Sequence, residues 1–99
     1  MAGPRTITRE GGESLAIQAL TFLAGDPERL GRFLALSGIG PERIRIAAAE
    51  PGFLAGVLDH LMADEALLRA FADEARIDPA EVAGARQALS GPAWERDPA

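Results

Sequence analysis

The sequence predicts an all-α protein: a compact six-helix orthogonal bundle made of two tandem three-helix units. Three observations carry this expectation. Alanine and leucine dominate residues 13–90, and no β-branched alternation typical of a half-buried strand appears there. Apolar residues recur at helical spacing in one segment after another. The segments are punctuated by helix starts and stops, among them Asp26-Pro27, Gly40-Pro41 and Asp78-Pro79, rather than by hairpin turns.

Residues 1–12 contain Gly3, Pro4, Gly11 and Gly12 with little apolar content, which predicts a disordered N-terminal arm. A first helix is predicted over 13–24, with the stripe Leu15, Ala16, Ala19, Leu20 and Leu23, ended by Gly25. Asp26 caps a second over 27–37, with Pro27 at its first position and Gly38 past its end. Gly40-Pro41 opens a third over 41–49, and Pro51 forces a boundary after Glu50. The fourth, 51–62, shows Phe53, Leu54, Val57, Leu58 and Leu61. Asp64 caps a fifth over 65–75, with Leu67, Leu68, Phe71, Ala72 and Ala75 on one face. Asp78-Pro79 opens the sixth, 79–90, and Gly91 ends it. Ile39 with Ile44, and Ile77 with Val82, stand at the spacing of a hydrophobic staple. Residues 91–99, with Pro92 and Pro98, read as an irregular tail. No helix of this length is stable alone, so residues 13–90 are expected to pack as one domain.

Sliding the chain by 38 residues aligns 13–50 with 51–88. Eight positions are then identical: Leu20/Leu58, Leu23/Leu61, Asp26/Asp64, Leu30/Leu68, Phe33/Phe71, Ile39/Ile77, Pro41/Pro79 and Ala47/Ala85. Composition alone gives roughly four, so the kind of match matters more than the number. The shared positions are stripe residues, a cap, a staple and a helix-initiating proline. They point to two copies of a three-helix unit related by an approximate twofold.

Composition excludes several function classes. The chain has 99 residues, no Cys, no Lys and one His, and a formal charge of −5. Disulfides, thiolate chemistry and Cys-ligated zinc are impossible. Acidity works against both nucleic acid and an anionic membrane surface. No stretch approaches the ~20 apolar residues that span a bilayer. Arg5 and Arg9 before Leu15–Ala24 imitate a secretory signal, but Glu10 and Glu13 spoil its basic region, and Gln18 and Thr21 interrupt its apolar one. A cytoplasmic protein is the resulting expectation.

Chemical motifs are sparse. The run Phe33 to Ile44, centred on Gly38-Ile39-Gly40-Pro41, resembles a helix-hairpin-helix element. That resemblance implies phosphate contact through Gly38 and Gly40, with Arg43 and Arg45 nearby. Glu42 and Ile44 depart from the pattern, and plain helix punctuation accounts for the same residues. Leu68, Ala72, Ile77, Val82 and Ala85 also fall at the packing positions of a helix-turn-helix, but Ala80, Glu81, Gly84, Arg86 and Gln87 offer a poor reading helix. His60 and Asp64 stand at ligand spacing, yet Asp64 is better used as a cap. None of Thr6, Thr8, Ser14, Thr21, Ser37 and Ser90 has a plausible His partner, and nothing would raise the pKa of paired acids such as Asp73/Glu74. No catalytic set, metal site or cofactor is expected. Ile46 lies off the stripe of Ile44, Ala47 and Ala48 and is expected to be exposed, as a partner contact. Trp94, the only Trp, either packs back on a groove between helices or anchors a partner.

The stretches Phe22 to Leu34 (FLAGDPERLGRFL), Ala48-Ala49-Glu50-Pro51 with Phe53-Leu54, Val57-Leu58-Asp59 and Asp64-Glu65-Ala66-Leu67 resemble a small bacterial family of all-helical proteins of unknown function. The resemblance runs from Leu15 to about Ser90. It implies an all-helical fold and supplies no activity, cofactor or catalytic residue. The expected function is a non-enzymatic interaction module whose partner is a protein or a second copy of the chain. The alternative is a nucleic-acid-associated module using Gly38, Gly40, Arg43 and Arg45.

Overall fold

A computed structural model describes residues 7–50 and 52–90. It is all-α, with no strand among the described residues. The helices are α1 (Arg9–Ala24), α2 (Pro27–Ser37), α3 (Ile44–Ala48), α4 (Phe53–Met62), α5 (Glu65–Ala75) and α6 (Pro79–Ser90), with a 3-10 turn (Pro41–Arg43) leading into α3.

Local chemistry sets most of the boundaries. Asp26 and Asp64, both in extended conformation, cap α2 and α5 by accepting from the backbone N–H of Glu28 (3.0 Å) and Leu67 (3.2 Å). At α6 the cap is reciprocal. The Asp78 carboxylate accepts from the Ala80 N–H at 2.8 Å, and the Glu81 carboxylate accepts from the Asp78 N–H at 3.3 Å. The helix ends of α2 and α5 also match. Gly38 (φ 74°) and Arg76 (φ 60°) are both left-handed, and the N–H groups of Ile39 and Ile77 reach back to the carbonyls of Leu34 and Ala72 at 3.1 and 3.0 Å.

Two expectations need correction. Residues 9–12, read from the sequence as part of an arm, are the first turn of α1. Thr8 is the reason: its hydroxyl accepts from Gly11 N–H at 3.0 Å, and its carbonyl accepts from Gly12 N–H at 2.8 Å. Gly12 suits the helix because α6 passes so close that a Cβ there would lie 2.9 Å from the Ala85 carbonyl oxygen. The third helix, expected over 41–49, is a 3-10 turn followed by only five α-helical residues. Gly40 has no side chain with which to cap it, and Arg43 (φ −104°, ψ 1°) interrupts the helical geometry. Pro51 lies outside the described residues, and α4 is observed from Phe53.

The shortest principal extent of the molecule, 18 Å, holds two layers of helices. α1 and α4 pack together, α6 covers both, α2 and α5 flank them, and α3 packs chiefly against α4. The core joins Leu15, Ala16, Ala19, Phe22 and Leu23 of α1 to Phe33, to Phe53, Val57, Leu58 and Leu61 of α4, and to Phe71, Val82 and Ala85. Phe22 meets Phe71 with ring centroids 5.4 Å apart, and Phe33 meets Phe53 edge-on at 5.9 Å. Each fully buried Leu, Val or Phe contributes about 1.5–3 kcal/mol. α2 and α5 share an Asp cap and a left-handed end and are each eleven residues long, whereas α3 has five residues and α6 twelve.

Candidate functional site

The corner between α2 and α3 contains the residues singled out for phosphate contact. Gly38 is exposed, and nothing would lie within 4 Å of a Cβ there. The N–H groups of Gly38 and Ile39 both donate to the Leu34 carbonyl, so these hairpin donors already have partners within the chain. The Glu42 carboxylate folds over Gly40, its oxygens 2.8 and 3.0 Å from where a Cβ would stand. A carboxylate therefore lies beside Gly40, and its charge repels a phosphate approaching there. Arg43 and Arg45 are exposed, and neither makes an ion pair among the described residues. Gly38, Gly40, Arg43 and Arg45 thus share a corner whose geometry is that of helix punctuation.

The same corner is apolar where a small domain is usually polar. Ile46 is 60% exposed and Leu36, in the last turn of α2, is 70% exposed. No residue of α3 is fully buried. Leu36, like Ile46, departs from its helix's inward stripe (Leu30, Phe33, Leu34), and that departure could have identified it from sequence. Trp94 lies outside the described residues.

A second concavity, of about 520 Å³, lies between α2, α4 and α5, with Arg29, Arg32, Glu28, His60 and Asp64 on its walls. His60 packs edge-on against Phe33, ring centroids 5.2 Å apart, rather than standing free in solvent. Burial, and then the nearby Arg32 guanidinium, hold its pKa below the ordinary histidine value, against an opposing pull from Asp64. One oxygen of the Asp64 carboxylate is engaged as the α5 cap, accepting from the Leu67 N–H. Arg29 is held over the Phe22 ring at 4.4 Å and beside the Asp26 carboxylate at 3.8 Å. No Ser, Thr or Cys lines this cleft. Among the described residues, no group of three His, Cys, Asp or Glu could hold a metal ion, and no helix is long and apolar enough to cross a membrane.

A third concavity, a groove of about 350 Å³ between α1 and α5, is lined by Ile17, Phe22, Phe71 and Ala75, with Gln18, Thr21 and Glu74 at its rim. Ile17 is 53% exposed. Sequence reading passed over this groove, although Ile17 stands off the α1 stripe just as Ile46 stands off that of α3.

A family model described as "Protein of unknown function (DUF3572)" matches residues 9–92 of the chain. No curated protein and no solved structure matches it.

Proposed function

Because the chain belongs to the family of proteins of unknown function DUF3572, we propose its role from its surface: a non-enzymatic module that binds a protein through the α2–α3 corner. The observation that carries this reading is the exposure of Leu36, in the last turn of α2, and of Ile46, within the short helix α3 that buries none of its residues. Large aliphatic side chains exposed at one corner favour a partner that can cover them. Arg43 and Arg45 add exposed cations beside them, which suits a partner with an apolar centre and an acidic rim.

The corner's other use is nucleic-acid association through Gly38, Gly40, Arg43 and Arg45, which the exposed arginines favour and the Glu42 carboxylate opposes. One experiment separates the two. The tagged chain is used to capture partners from its native host, with and without nuclease, alongside Leu36→Ser/Ile46→Ser and Arg43→Glu/Arg45→Glu variants. A nuclease-resistant partner lost in the aliphatic variant supports the protein-binding reading. Partners that vanish with nuclease, or that ignore the aliphatic variant and depend on the arginines alone, overturn it.

A further inference from the structure

We propose that the cleft between α2, α4 and α5 binds a small monocarboxylate, a molecule with one ionised carboxyl group and a short apolar body, whose carboxylate is held by Arg32 beside His60. The cleft is separate from the α2–α3 corner, and neither proposal depends on the other.

The cleft, of about 520 Å³, has the size of a small-molecule site. Its cations are not equivalent. Arg29 is held over the Phe22 ring at 4.4 Å and shares its charge with Asp26 at 3.8 Å. Arg32 makes no ion pair among the described residues, although Glu28 stands one turn before it on α2. At the same spacing on α5, Glu65 and Arg69 meet at 3.0 Å. Arg32 therefore brings an uncompensated guanidinium to the cleft, and its planar fork of donors matches a carboxylate.

Opposite it, on α4, His60 stands with its ring fixed edge-on against Phe33. Neither ring nitrogen has a hydrogen-bond partner among the described residues. A ring N–H is thus free to donate to an anion. Ala66, Leu67 and Ala70 of α5 supply an apolar wall for the rest of the ligand. The two carboxylates of the cleft, Glu28 and Asp64, set the charge limit: they repel a second negative group, which favours a monoanion over a phosphate dianion.

A bound carboxylate also changes the proton equilibrium of His60. The charged groups sharing the cleft with its ring are Glu28, Arg29 and Arg32 of α2 and Asp64 at the start of α5. In the free protein, burial and then Arg32 hold the imidazole pKa down, against Asp64. An anion between Arg32 and the ring favours the imidazolium, so the His60 pKa rises on binding. By linkage, the ligand binds more tightly as pH falls through the His60 range.

The test uses the full chain, labelled with nitrogen-15, and sodium benzoate as the probe. Benzamide, the neutral isostere, and inorganic phosphate are run alongside. Benzoate should bind saturably in the millimolar range, with amide shifts centred on Arg32, His60 and Leu67. Benzamide and phosphate should each bind at least severalfold more weakly. Arg32→Gln, at an exposed position, should weaken benzoate about fivefold. Arg76→Gln, at the far end of α5, should leave its affinity as it is. The single His makes the ring titration easy to follow, and saturating benzoate should raise its pKa. Absence of saturable shifts overturns the proposal. So does benzamide binding as tightly as benzoate, which reduces the cleft to an apolar surface, or phosphate doing so, which reduces it to a patch of cations. Affinity indifferent to Arg32→Gln, or a His60 pKa that benzoate does not raise, overturns the assigned contacts.

Discussion

At the scale of single residues, backbone conformation and close approach decide where substitution is tolerated. Gly38 and Arg76 occupy the same left-handed position at the ends of α2 and α5, but only one is a glycine. A side chain in that conformation costs about 1 kcal/mol. Arg76→Gly should therefore raise stability by about 1 kcal/mol and Gly38→Ala lower it by a similar amount, both read as shifts of the urea midpoint at constant slope. Gly12 is different, because the obstacle there is the Ala85 carbonyl oxygen at 2.9 Å. Gly12→Ala should force α1 and α6 apart and cost about 1–3 kcal/mol. His60 adds a pH dependence. Its folded pKa lies below the ordinary 6.5, so the unfolded chain holds more protons across the interval between the two values. The contribution of His60 to stability is therefore complete above 6.5, declines as pH falls through that interval, and is level below the folded value. The slope of stability between roughly pH 5 and 8 should flatten in His60→Asn, measured by urea titration across that range.

At the scale of helices, the caps matter more than intrinsic propensity. Asp64 closes the start of α5 through one charge-assisted bond to Leu67 N–H. Asp64→Ala should cost about 1 kcal/mol and Asp64→Asn almost nothing, since either oxygen-bearing side chain can accept that bond. The Asp78–Glu81 pair is a reciprocal cap written in the sequence as Asp-x-x-Glu, and only the first half of that signal entered the sequence reading. α3 shows the limit of such signals. A Gly-Pro pair can begin a helix, but with no side-chain oxygen at the cap the segment tightened into a 3-10 turn. The start of α1 was missed for the converse reason. Two glycines looked like an arm, yet Thr8 caps the helix they open, and α6 leaves no room for a side chain at Gly12.

At the scale of the whole molecule, a two-layer domain has little depth, and its stability rests on a few aromatic contacts. Phe33 touches both Phe53 and His60, and Phe71 meets Phe22. Phe33→Ala or Phe71→Ala should each cost about 3–5 kcal/mol, a large share of the 5–15 kcal/mol typical of such domains. Ile46→Ser, by contrast, should stay within about 0.5 kcal/mol of wild type, because Ile46 is 60% exposed. Calorimetric melting of the three variants checks both expectations. A large loss from Ile46→Ser would place that side chain in the core and remove it from the proposed interface.

The sequence by itself determined the helices, their stripes and most of their ends. These depend on neighbours within a few residues: Asp26, Asp64 and Asp78 cap because the N–H groups they satisfy are two or three positions away. It also determined that Ile46 would be exposed, since a residue off the inward face of a helix has nowhere else to point. What required the tertiary structure was everything set by contacts between distant segments. Position 12 has no room for a side chain because α6 passes close to it, and His60 is shielded because Phe33 arrives from α2. The groove beside Ile17 exists because α1 and α5 are brought together from opposite halves of the chain, and no local spacing in either helix encodes that meeting.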